Sequence, residues 1–438
     1  MATDLNDKID KAVALYEKGD LQKSLNLCRK LLEADPDNVY VLINIGNIYY
    51  VQNDYVSASV YYQKAVDADP YNYSALINLA NSYFELKNYM DAIHYARNAV
   101  ECRPTEKLAY IILGNSYFEM EKYQDSIAAL EAAQGLDSND PWVYNYLSQS
   151  YQKISDYIKA VSNAWKAVEK SAEKDDSHHI NLGYLFYEIA LDKGADSIAE
   201  CVRLWVKKYN ANPLVSYMGN ALLGNTEIKA ADPRYLRDVF DVFASDFDTV
   251  LASLDYRAPG LINSVLKDLY KKKKTFGLRI LDMGCGTGLC GVFLKKYASL
   301  RRLDGVDISE KMLEAAGKKK LYTKLYNAEL SAFLESCRNY DLMVAADVFT
   351  YIGELDYLFG NIALKLNKKG RVIFTVSANE IDGRDYYLHI SGRFLHSVEY
   401  IKKVLKNAGL EMEICDYKKL RNEGDKPVMG YIVSAVRK

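Results

Sequence analysis

Residues 279–289 read Arg-Ile-Leu-Asp-Met-Gly-Cys-Gly-Thr-Gly-Leu, an apolar run that ends in three alternating glycines. The run predicts a buried strand, and the glycines predict a tight turn into a helix, because residues without a Cβ let the backbone pass close to a ligand. The free N–H groups at the start of the next helix attract a carboxylate, a phosphate or ribose hydroxyls. This stretch therefore predicts the first strand of a nucleotide-type α/β domain.

Outward from this turn, short apolar runs alternate with amphipathic helical patterns to the end of the chain. Such alternation predicts parallel strands covered by helices on both faces of the sheet, a doubly wound Rossmann-like fold. Seven strands are predicted, at 278–283, 302–307, 322–327, 340–346, 370–377, 411–417 and 428–436.

Acidic residues follow the first three predicted strands. Because the carboxyl ends of parallel strands meet at one edge of the sheet, where ligands bind, we expect these acids to line one site. Asp282 would hold an ammonium group, whereas it would repel the pyrophosphate of a dinucleotide. Asp307 can accept bonds from both hydroxyls of a ribose, and Glu329 can reach an adenine amino group. This set favours S-adenosylmethionine (SAM) as the cofactor.

The glycines alone leave two alternatives open. Gly286, Gly288 and Gly291 also satisfy the G-x-G-x-x-G pattern of dinucleotide sites, and a relic of the fold without any ligand is the third interpretation. With SAM as the ligand, the guanidinium of Arg257 is expected to contact the cofactor carboxylate. The predicted cofactor-binding residues are Asp282, Gly284, Gly286, Gly288, Asp307, Ile308, Glu329 and Arg257.

The predicted chemistry needs few catalytic groups. Methyl transfer from a sulfonium is an in-line displacement with a neutral leaving group, so it requires alignment and exclusion of water, and no metal site is predicted. Asp347, at the end of the fourth strand, is a candidate for orienting the acceptor, with helix capping as its alternative. Tyr351 is a candidate wall of the methyl channel or a packing aromatic. His396 is a candidate general base or a capping or surface histidine.

The first half of the chain repeats itself every 34 residues. Four columns share this spacing, which indicates an array of like units. Apolar positions recur at helical spacing on both sides of a polar turn, so each unit is predicted to be a helix pair. The columns are Pro36, Pro70 and Pro104; Gly46, Ala80, Gly114 and Ser148; Tyr49, Tyr83, Tyr117 and Tyr151; and Ala65, Ala99, Ala133 and Ala167.

The order small-x-x-Tyr, then Ala, Ala and Pro, resembles the tetratricopeptide repeat (TPR). About five units, starting near residues 5, 39, 73, 107 and 141, are expected to stack into an all-α superhelix with a concave groove. The predicted segments are a TPR array at 1–174, degenerate capping helices at 175–225, a helical linker and lid at 226–276, and the α/β domain at 277–438.

Amide side chains recur on the first helix of successive units. They resemble the asparagine ladder in the TPR superhelix of the protein O-GlcNAc transferases, which implies a groove that holds an extended peptide through amide donors and acceptors. The alternative is that the amides face water or bond between adjacent helices. The predicted groove residues are Asn44, Asn47, Asn78, Asn81, Asn115 and Gln149.

Five segments, at 240–248, 256–259, 328–330, 345–355 and 391–397, carry a further resemblance. They are similar to the signature segments of the predicted TPR-containing methyltransferases, which are class I SAM-dependent enzymes. The resemblance covers residues 230–438 and implies methyl transfer without identifying the acceptor. Two departures concern the substrate: Tyr322-Thr323 stands where the family usually has Tyr-Asp, and Ser377 where it often has Glu. The segments are Phe-Asp-Val-Phe-Ala-Ser-Asp-Phe-Asp at 240–248, Tyr-Arg-Ala-Pro at 256–259, Ala-Glu-Leu at 328–330, Ala-Ala-Asp-Val-Phe-Thr-Tyr-Ile-Gly-Glu-Leu at 345–355 and Ser-Gly-Arg-Phe-Leu-His-Ser at 391–397.

Composition and charge limit the class of protein and the compartment in which it works. Of the 438 residues, 49% are apolar and 26% charged, as in ordinary folded proteins. No apolar run reaches the ~18 residues that span a bilayer, and the acidic N-terminus does not fit a signal peptide. The seven cysteines form no CxxC pair, so we expect a reducing cytoplasm and no membrane partner. The net charge of −2 divides into −10 for residues 1–245 and +8 for residues 246–438.

The acidic first half suits a basic or lysine-bearing peptide. The expected function is SAM-dependent methylation of a protein side chain, with nitrogen favoured, after recruitment by the TPR groove. One alternative is a small-molecule methyltransferase whose repeats only mediate assembly; another is a scaffold whose α/β domain senses SAM without turnover. Nucleic acid is disfavoured, because the Asn/Asp-Pro-Pro-Tyr motif of many base-amine methylases is absent after the fourth strand.

Overall fold

The computed structural model describes residues 2–137, 139–172, 176–225, 227–271, 277–381, 383–424 and 426–438. The chain divides into two compact units, Met1–Leu185 and Phe186–Lys438. This division falls inside the segment predicted as capping helices. The boundary predicted at 276 lies beside residues 272–276, which are outside the described residues. Where the chain is described, no helix combines the length and apolar character that crossing a bilayer requires.

Successive helix pairs build the first unit, and an eleventh helix continues into the second. The first helix of the last four pairs begins at or within two residues of every 34th position, which follows the sequence period. The helices are α1 (Ala2–Glu17), α2 (Leu21–Ala34), α3 (Val39–Val51), α4 (Tyr55–Ala68), α5 (Tyr73–Glu85), α6 (Tyr89–Cys102), α7 (Lys107–Glu119), α8 (Tyr123–Leu136), α9 (Pro141–Lys153), α10 (Tyr157–Lys170) and α11 (Ser177–Lys193).

A small residue is required where the two helices of a pair meet. A Cβ added to Gly46 would lie 2.4 Å from the ring of Tyr62, and a Cβ on Gly114 would lie 2.5 Å from Cγ of Leu130. These distances are steric clashes, so a larger residue would force the helices apart. The close approach explains the column of small residues in the sequence.

The turn between the helices of a pair also repeats. Asn53, Lys87, Glu121 and Ser155, each 34 residues apart, all adopt a left-handed conformation with φ between 59 and 61°. Each pair then packs on the next through contacts of α2 with α3, α4 with α5, α6 with α7 and α8 with α9. The continuous core between the pairs is what a repeat array requires, because no pair can bury its apolar face alone.

The second unit places helices around one sheet. The helices that follow α11 are α12 (Ala199–Lys208), α13 (Pro213–Leu222), α14 (Pro233–Phe243), α15 (Phe247–Ser253), α16 (Ala258–Leu269), α17 (Gly291–Leu294), α18 (Glu310–Lys318), α19 (Leu330–Ser336), α20 (Asp356–Lys365) and α21 (Val398–Asn407). The strands are β1 (Leu278–Met283), β2 (Ala298–Asp307), β3 (Lys324–Asn327), β4 (Tyr340–Ala345), β5 (Leu366–Ala378), β6 (Tyr386–Leu388), β7 (Phe394–His396), β8 (Leu410–Glu423) and β9 (Lys426–Arg437).

The sheet has the predicted doubly wound order. Strands β3, β2, β1, β4 and β5 are parallel neighbours in that order, and β9 pairs antiparallel with both β5 and β8. The described sheet has nine strands rather than the predicted seven, because a short hairpin of β6 and β7 is added where β7 pairs with Ser377 and Ala378 at the end of β5. Short strands of three residues leave no clear alternation in the sequence, so they were missed.

The register of the central strands positions the predicted acids. Asp282 on β1 is paired with Gly305 on β2 and with Val344 on β4. Asp307 and Asp347 therefore lie two and three residues beyond the level of Asp282, at the same edge of the sheet. The strand order changes direction between β1 and β4, and a crevice for ligands opens at such a switch point.

Candidate functional site

A cavity of about 350 Å³ lies at the carboxyl edge of the sheet in the second unit. Its volume is within the range of small-molecule sites. The lining comes from helices α14 to α16, the turn after β1, the ends of β2 and β4, the start of α19 and the loop before β7. Six predicted cofactor or catalytic residues on the strand side meet there, namely Asp282, Gly284, Gly286, Asp307, Ile308 and Glu329, together with Asp347 and Tyr351.

The glycine turn after β1 adopts conformations that favour glycine. Gly284, Gly286 and Gly288 have φ values of 61, 51 and 91°. A Cβ on Gly284 would also lie 2.5 Å from a methyl group of Val348. Gly284 and Gly286 line the cavity, whereas Gly288 is not part of the lining and its missing Cβ leaves room for the ring of Tyr322 instead. The turn is thus fixed by its neighbours on both sides.

Asp282 is a buried carboxyl group with one side-chain partner. The hydroxyl of Tyr322 donates to Oδ2 of Asp282 over 2.6 Å. Burial raises the pKa of Asp282 to about 7, because the charged form loses water that a single hydrogen bond does not replace. An ammonium group in the cavity would supply the missing countercharge. The geometry therefore fits a ligand with a positive group at this point.

Asp307 holds the glycine turn to the end of β2. Its Oδ2 accepts from the backbone N–H of Gly286 over 2.8 Å, and its Oδ1 accepts from that of Ser309 over 3.0 Å. Each carboxylate oxygen has lone pairs left for further donors, such as the hydroxyls of a ribose. Ile308 lies between these contacts in the cavity lining.

Glu329 begins helix α19 as its N-cap. Its two carboxylate oxygens accept from the backbone N–H groups of Ser331 and Ala332 over 2.9 and 2.8 Å. The side chain is therefore fixed by local bonds while it lines the cavity. A capping carboxylate keeps unused lone pairs, so this placement is compatible with the predicted bond to an adenine amino group.

Helices α14 and α15 cover the cavity and are held down by two acids. Asp241 accepts from the hydroxyl of Ser309 over 2.5 Å, and Asp248 accepts a short bond from the hydroxyl of Thr287 in the glycine turn. Lys319 donates to Asp248 over 2.7 Å. The cover thus attaches to the cofactor side of the site itself. Its aromatic residues Phe240 and Phe247 line the cavity, whereas Phe243 is absent from the lining.

Asp347 has an unusual backbone and an unusual environment. Its φ of 58° is left-handed, although it is not a glycine, and its N–H donates to Oγ1 of Thr375 over 2.9 Å. Oδ2 accepts from the guanidinium of Arg421 over 2.8 Å. Among the described residues Oδ1 has no hydrogen-bond partner although it is buried. Burial raises the pKa of Asp347, and the charge of Arg393 opposes that rise.

Aromatic and cationic groups complete the wall around Asp347. The ring of Tyr351 packs edge-on against Phe240 at 5.6 Å, and its hydroxyl is hydrogen-bonded to Arg393. Burial raises the pKa of Tyr351 and that of Tyr256, so both phenols are neutral. Tyr351, Tyr256 and Arg393 all line the cavity.

Besides Gly288, two more predicted residues of this site, His396 and Arg257, lie outside the cavity lining. His396 is fully buried, with Nε2 bonded to the carbonyl of Ile352 over 2.9 Å and its ring stacked on Tyr400. Burial lowers the pKa of His396 to about 4. The guanidinium of Arg257 points to Asp255, over 2.7 Å, and is largely exposed. These placements do not match a base or a cofactor contact, because neither side chain reaches the site.

The predicted groove amides of the first unit mostly bond between adjacent helices. Asn47 accepts from Tyr62 over 2.7 Å and from Asn78 over 3.1 Å, and Asn81 donates to the hydroxyl of Tyr50 over 2.7 Å. Asn44 is buried and contacts the sulfur of Cys28. The alternative of helix-to-helix bonding therefore describes these residues.

The remaining two predicted groove amides are Asn115 and Gln149. Asn115 is hydrogen-bonded to Tyr146 on α9, in the next helix pair. Gln149 is half-buried. Asn47, Asn78, Asn81 and Asn115 are partly exposed. Their role in binding a peptide therefore stays a prediction.

Sequence reasoning missed several residues that shape the site. Tyr322 was given no role in the site, and only the Thr323 beside it was noted as a departure from the family pattern, although Tyr322 is the partner of Asp282. Asp241 and Asp248 lie in two successive helices, α14 and α15, and their partners Ser309 and Thr287 are distant in the chain, so no local spacing pointed to these bonds. Arg421 is 74 residues from Asp347, and no local pattern connects the two.

Known protein families match both halves of the chain. A model described as a methyltransferase domain matches residues 247–413, one described as a tetratricopeptide repeat matches residues 9–73, and one described as subunit 3 of the anaphase-promoting complex, or cyclosome, matches residues 51–133. The chain therefore carries a TPR array followed by a methyltransferase domain, which confirms the predicted architecture.

Three curated relatives carry the names of methyltransferases. A malonyl-[acyl-carrier protein] O-methyltransferase of Bacillus cereus is 26% identical over 118 residues, 27% of this chain and 43% of that protein. The human methyltransferase-like protein 27 is 41% identical over 86 residues, 20% of this chain and 34% of that protein. A ubiquinone biosynthesis O-methyltransferase of Coxiella burnetii is 24% identical over 187 residues, 38% of this chain and 79% of that protein.

These similarities fix the class of the second unit. It is a methyltransferase domain of the SAM-dependent class, which confirms the enzyme class and the cofactor predicted from the sequence. The chain spans less than half the length of the first two relatives. The acceptor is not defined by these matches.

Proposed function

We propose that the protein transfers the methyl group of SAM to a side chain of another protein that its TPR array recruits, with nitrogen as the favoured acceptor. The observation that carries the proposal is the convergence of three strand-end acids on one cavity, Asp282, Asp307 and Glu329. The glycine turn passes beneath them. An array of helix pairs ahead of this domain supplies a separate surface for a protein partner.

The strand-end acids divide the binding of SAM among them. Asp282 would hold its ammonium group, Asp307 its ribose hydroxyls and Glu329 its adenine amino group. Bound SAM supplies an electrophilic methyl group on a positively charged sulfur. Helices α14 and α15 line the cavity with apolar residues, which would limit the access of water to the transferred methyl group.

Nitrogen is favoured because the cavity suits a neutral amine. A lysine amine must lose its proton before it can accept a methyl group, and the wall of Phe240, Phe247 and Tyr256 disfavours the charged form. The net charge of −10 on residues 1–245 would attract a basic substrate segment. The cytoplasmic location of the protein stays a prediction.

Calorimetric titration with SAM tests the cofactor site. Asp307→Ala removes the carboxylate that accepts from the backbone of Gly286 and Ser309 and that is proposed to bind the ribose. We therefore expect SAM affinity to fall by about 100-fold or more. Asp416→Ala, an exposed acid outside the cavity, is the matched control and should bind like the unchanged protein. Equal SAM affinity in both variants, or a clear isotherm with NAD and none with SAM, would contradict the proposal.

The division of labour is tested with tritiated-methyl SAM in a lysate of the source cells. We expect label in protein, and loss of most of it when residues 1–185 are deleted. A small-molecule acceptor is the second candidate, because α14 and α15 contribute aromatic residues to the cavity and two relatives carry the names of O-methyltransferases. Label in the small-molecule fraction would favour this candidate. SAM binding without label would favour a scaffold that senses SAM.

A further inference from the structure

The long hairpin of β8 and β9 lies outside the cofactor motifs and supplies a partner to Asp347, which lines the cavity. The carbonyl of Leu420 accepts from the N–H of Arg257 over 2.7 Å, and the N–H of Asn422 donates to the carbonyl of Leu254 over 2.7 Å. Lys419 also pairs with Asp255 over 3.0 Å. These contacts fix the hairpin against the turn between α15 and α16. Arg421, between them, is thereby directed inward.

Arg421 and Asp347 form a buried ion pair. Their side chains are 3% and 13% exposed, and the guanidinium-to-carboxylate distance is 2.8 Å. An arginine is always charged in proteins, so this contact favours the ionised form of Asp347. Only Oδ2 is used by the pair. The buried Oδ1 has no partner in the described structure, and leaving a charged acceptor unsatisfied is unfavourable.

The backbone at Asp347 supports a functional role. A left-handed φ at a residue other than glycine costs on the order of 1 kcal/mol or more, and such strain concentrates at functional sites. The bond from its N–H to Thr375 and the bond from Arg421 hold the residue in this conformation. Asp347 thus lines the cavity with Oδ2 bonded to Arg421 and with a buried Oδ1 that has no partner among the described residues.

We infer that Asp347 binds the methyl acceptor through Oδ1, that Arg421 is the residue that positions it, and that the acceptor group therefore carries an N–H or O–H hydrogen. This inference rests on the proposed methyl transfer. An ionised carboxylate acceptor has no hydrogen to donate and would face the charge of Asp347, so methyl-ester formation is excluded. A neutral amine meets both requirements.

The transfer balances on such an acceptor. The nitrogen lone pair forms the new bond to the methyl carbon while the carbon–sulfur bond breaks, and the electron pair of that bond goes to sulfur. Sulfur becomes neutral and the nitrogen takes the positive charge. The carboxylate of Asp347 accepts a hydrogen bond from the same nitrogen and stabilises this charge. The product ammonium loses its proton to water after release.

Three variants separate a positioning role from a structural one. Arg421→Met leaves a buried charge unpaired and should lower the melting temperature, whereas Arg421→Met with Asp347→Asn removes both charges and should restore most of it. We expect both variants to bind SAM within about threefold of the unchanged protein and to lose about 100-fold in label transfer. Arg421→Lys keeps the charge and should retain intermediate transfer. Arg371→Met, which breaks the surface pair with Glu413, is the matched control with full transfer.

The outcomes are distinguishable. Recovery of both stability and transfer in the double variant would show that the ion pair is only structural and would overturn the inference. Protein or small-molecule label that is released as volatile methanol in alkali would identify a methyl ester and would also overturn it. Absence of all label from a wild-type protein that binds SAM would instead overturn the proposed function, and the inference with it. Two results together support the inference. The label is stable in alkali, and the double variant is nearly as stable as the unchanged protein but deficient in transfer.

Discussion

The two sides of the cavity are built in different ways. On the cofactor side, Asp307 bonds to the turn after β1 and Glu329 to the start of its own helix α19, while Asp282 accepts from Tyr322. On the acceptor side, Asp347 depends on Arg421, which comes from a hairpin near the end of the chain. The difference indicates that local strand-end motifs place the cofactor acids, whereas the acceptor side is assembled around an ion pair between distant segments.

The charge state of Asp282 provides the strongest test of the cofactor side. Its pKa of about 7 predicts that SAM affinity rises with pH between about 6 and 8, because the ammonium group requires the ionised carboxylate. Asp282→Asn should lose about 100-fold in affinity at pH 8, since hydrogen bonds to charged groups contribute roughly 1.5–3 kcal/mol, and should show no such pH dependence. Calorimetry across this pH range measures both effects; a parallel pH dependence in the variant would contradict the assignment.

The ionisation of Asp282 also affects the folding stability of the protein without SAM. Here a rise in pH is unfavourable, whereas it favours SAM binding. The folded-state pKa of Asp282 lies above the unfolded value of 3.8, so its stabilising contribution is complete below pH 3.8 and is lost as the pH rises through about 7. Asp282→Asn should therefore melt at a higher temperature than the unchanged protein at pH 8, with a smaller difference at pH 5. Melting curves at pH 5 and pH 8 measure this difference. Asp307, Cys285 and Cys290 are present in both proteins, so the comparison isolates the ionisation of Asp282.

A smaller effect is expected for the partner of Asp282. Tyr322→Phe keeps the ring that packs on Gly288 and Gly291 but removes the hydroxyl that donates to Asp282. SAM affinity at pH 7 should fall by about tenfold, since the pKa of Asp282 then rises further. Transfer at saturating SAM should be nearly unchanged, whereas the acceptor-side variants lose transfer with little change in affinity. A loss of transfer without a loss of SAM affinity would contradict the assignment of Tyr322 to the cofactor side.

The smallest effect concerns the cover over the cavity. Asp248→Asn weakens the contacts of α15 with Thr287 and Lys319, and the side chain of Asp248 is 45% exposed. SAM affinity should fall only about threefold, because exposed ion pairs contribute little, and the effect should shrink in high salt. Titration at low and high salt measures it. A loss as large as that of Asp282→Asn would mean that the cover, rather than the strand ends, determines binding.

Local pattern predicted most of the fold. The 34-residue period predicted the helix pairs because the same packing between helices recurs in each unit, as the clash at Gly46 illustrates. The apolar runs predicted the strands of the main sheet, but not the three-residue strands β6 and β7. The amides of the repeats showed the limit of pattern: their spacing was right, and yet Asn47 and Asn78 bond to each other. Spacing predicts which residues share a face and cannot give their partners.

The sequence by itself determined the order of the two units, the glycine turn and the acids at the ends of β1, β2 and β3, because these features depend on residues close together in the chain. Only the tertiary structure decided which side chains meet from far apart. It brought Arg421 to Asp347 and Tyr322 to Asp282, and it turned Arg257 and His396 away from the cavity. The physical reason is that long-range partners are selected by packing and by the burial of charge, which leave no fixed spacing in the sequence.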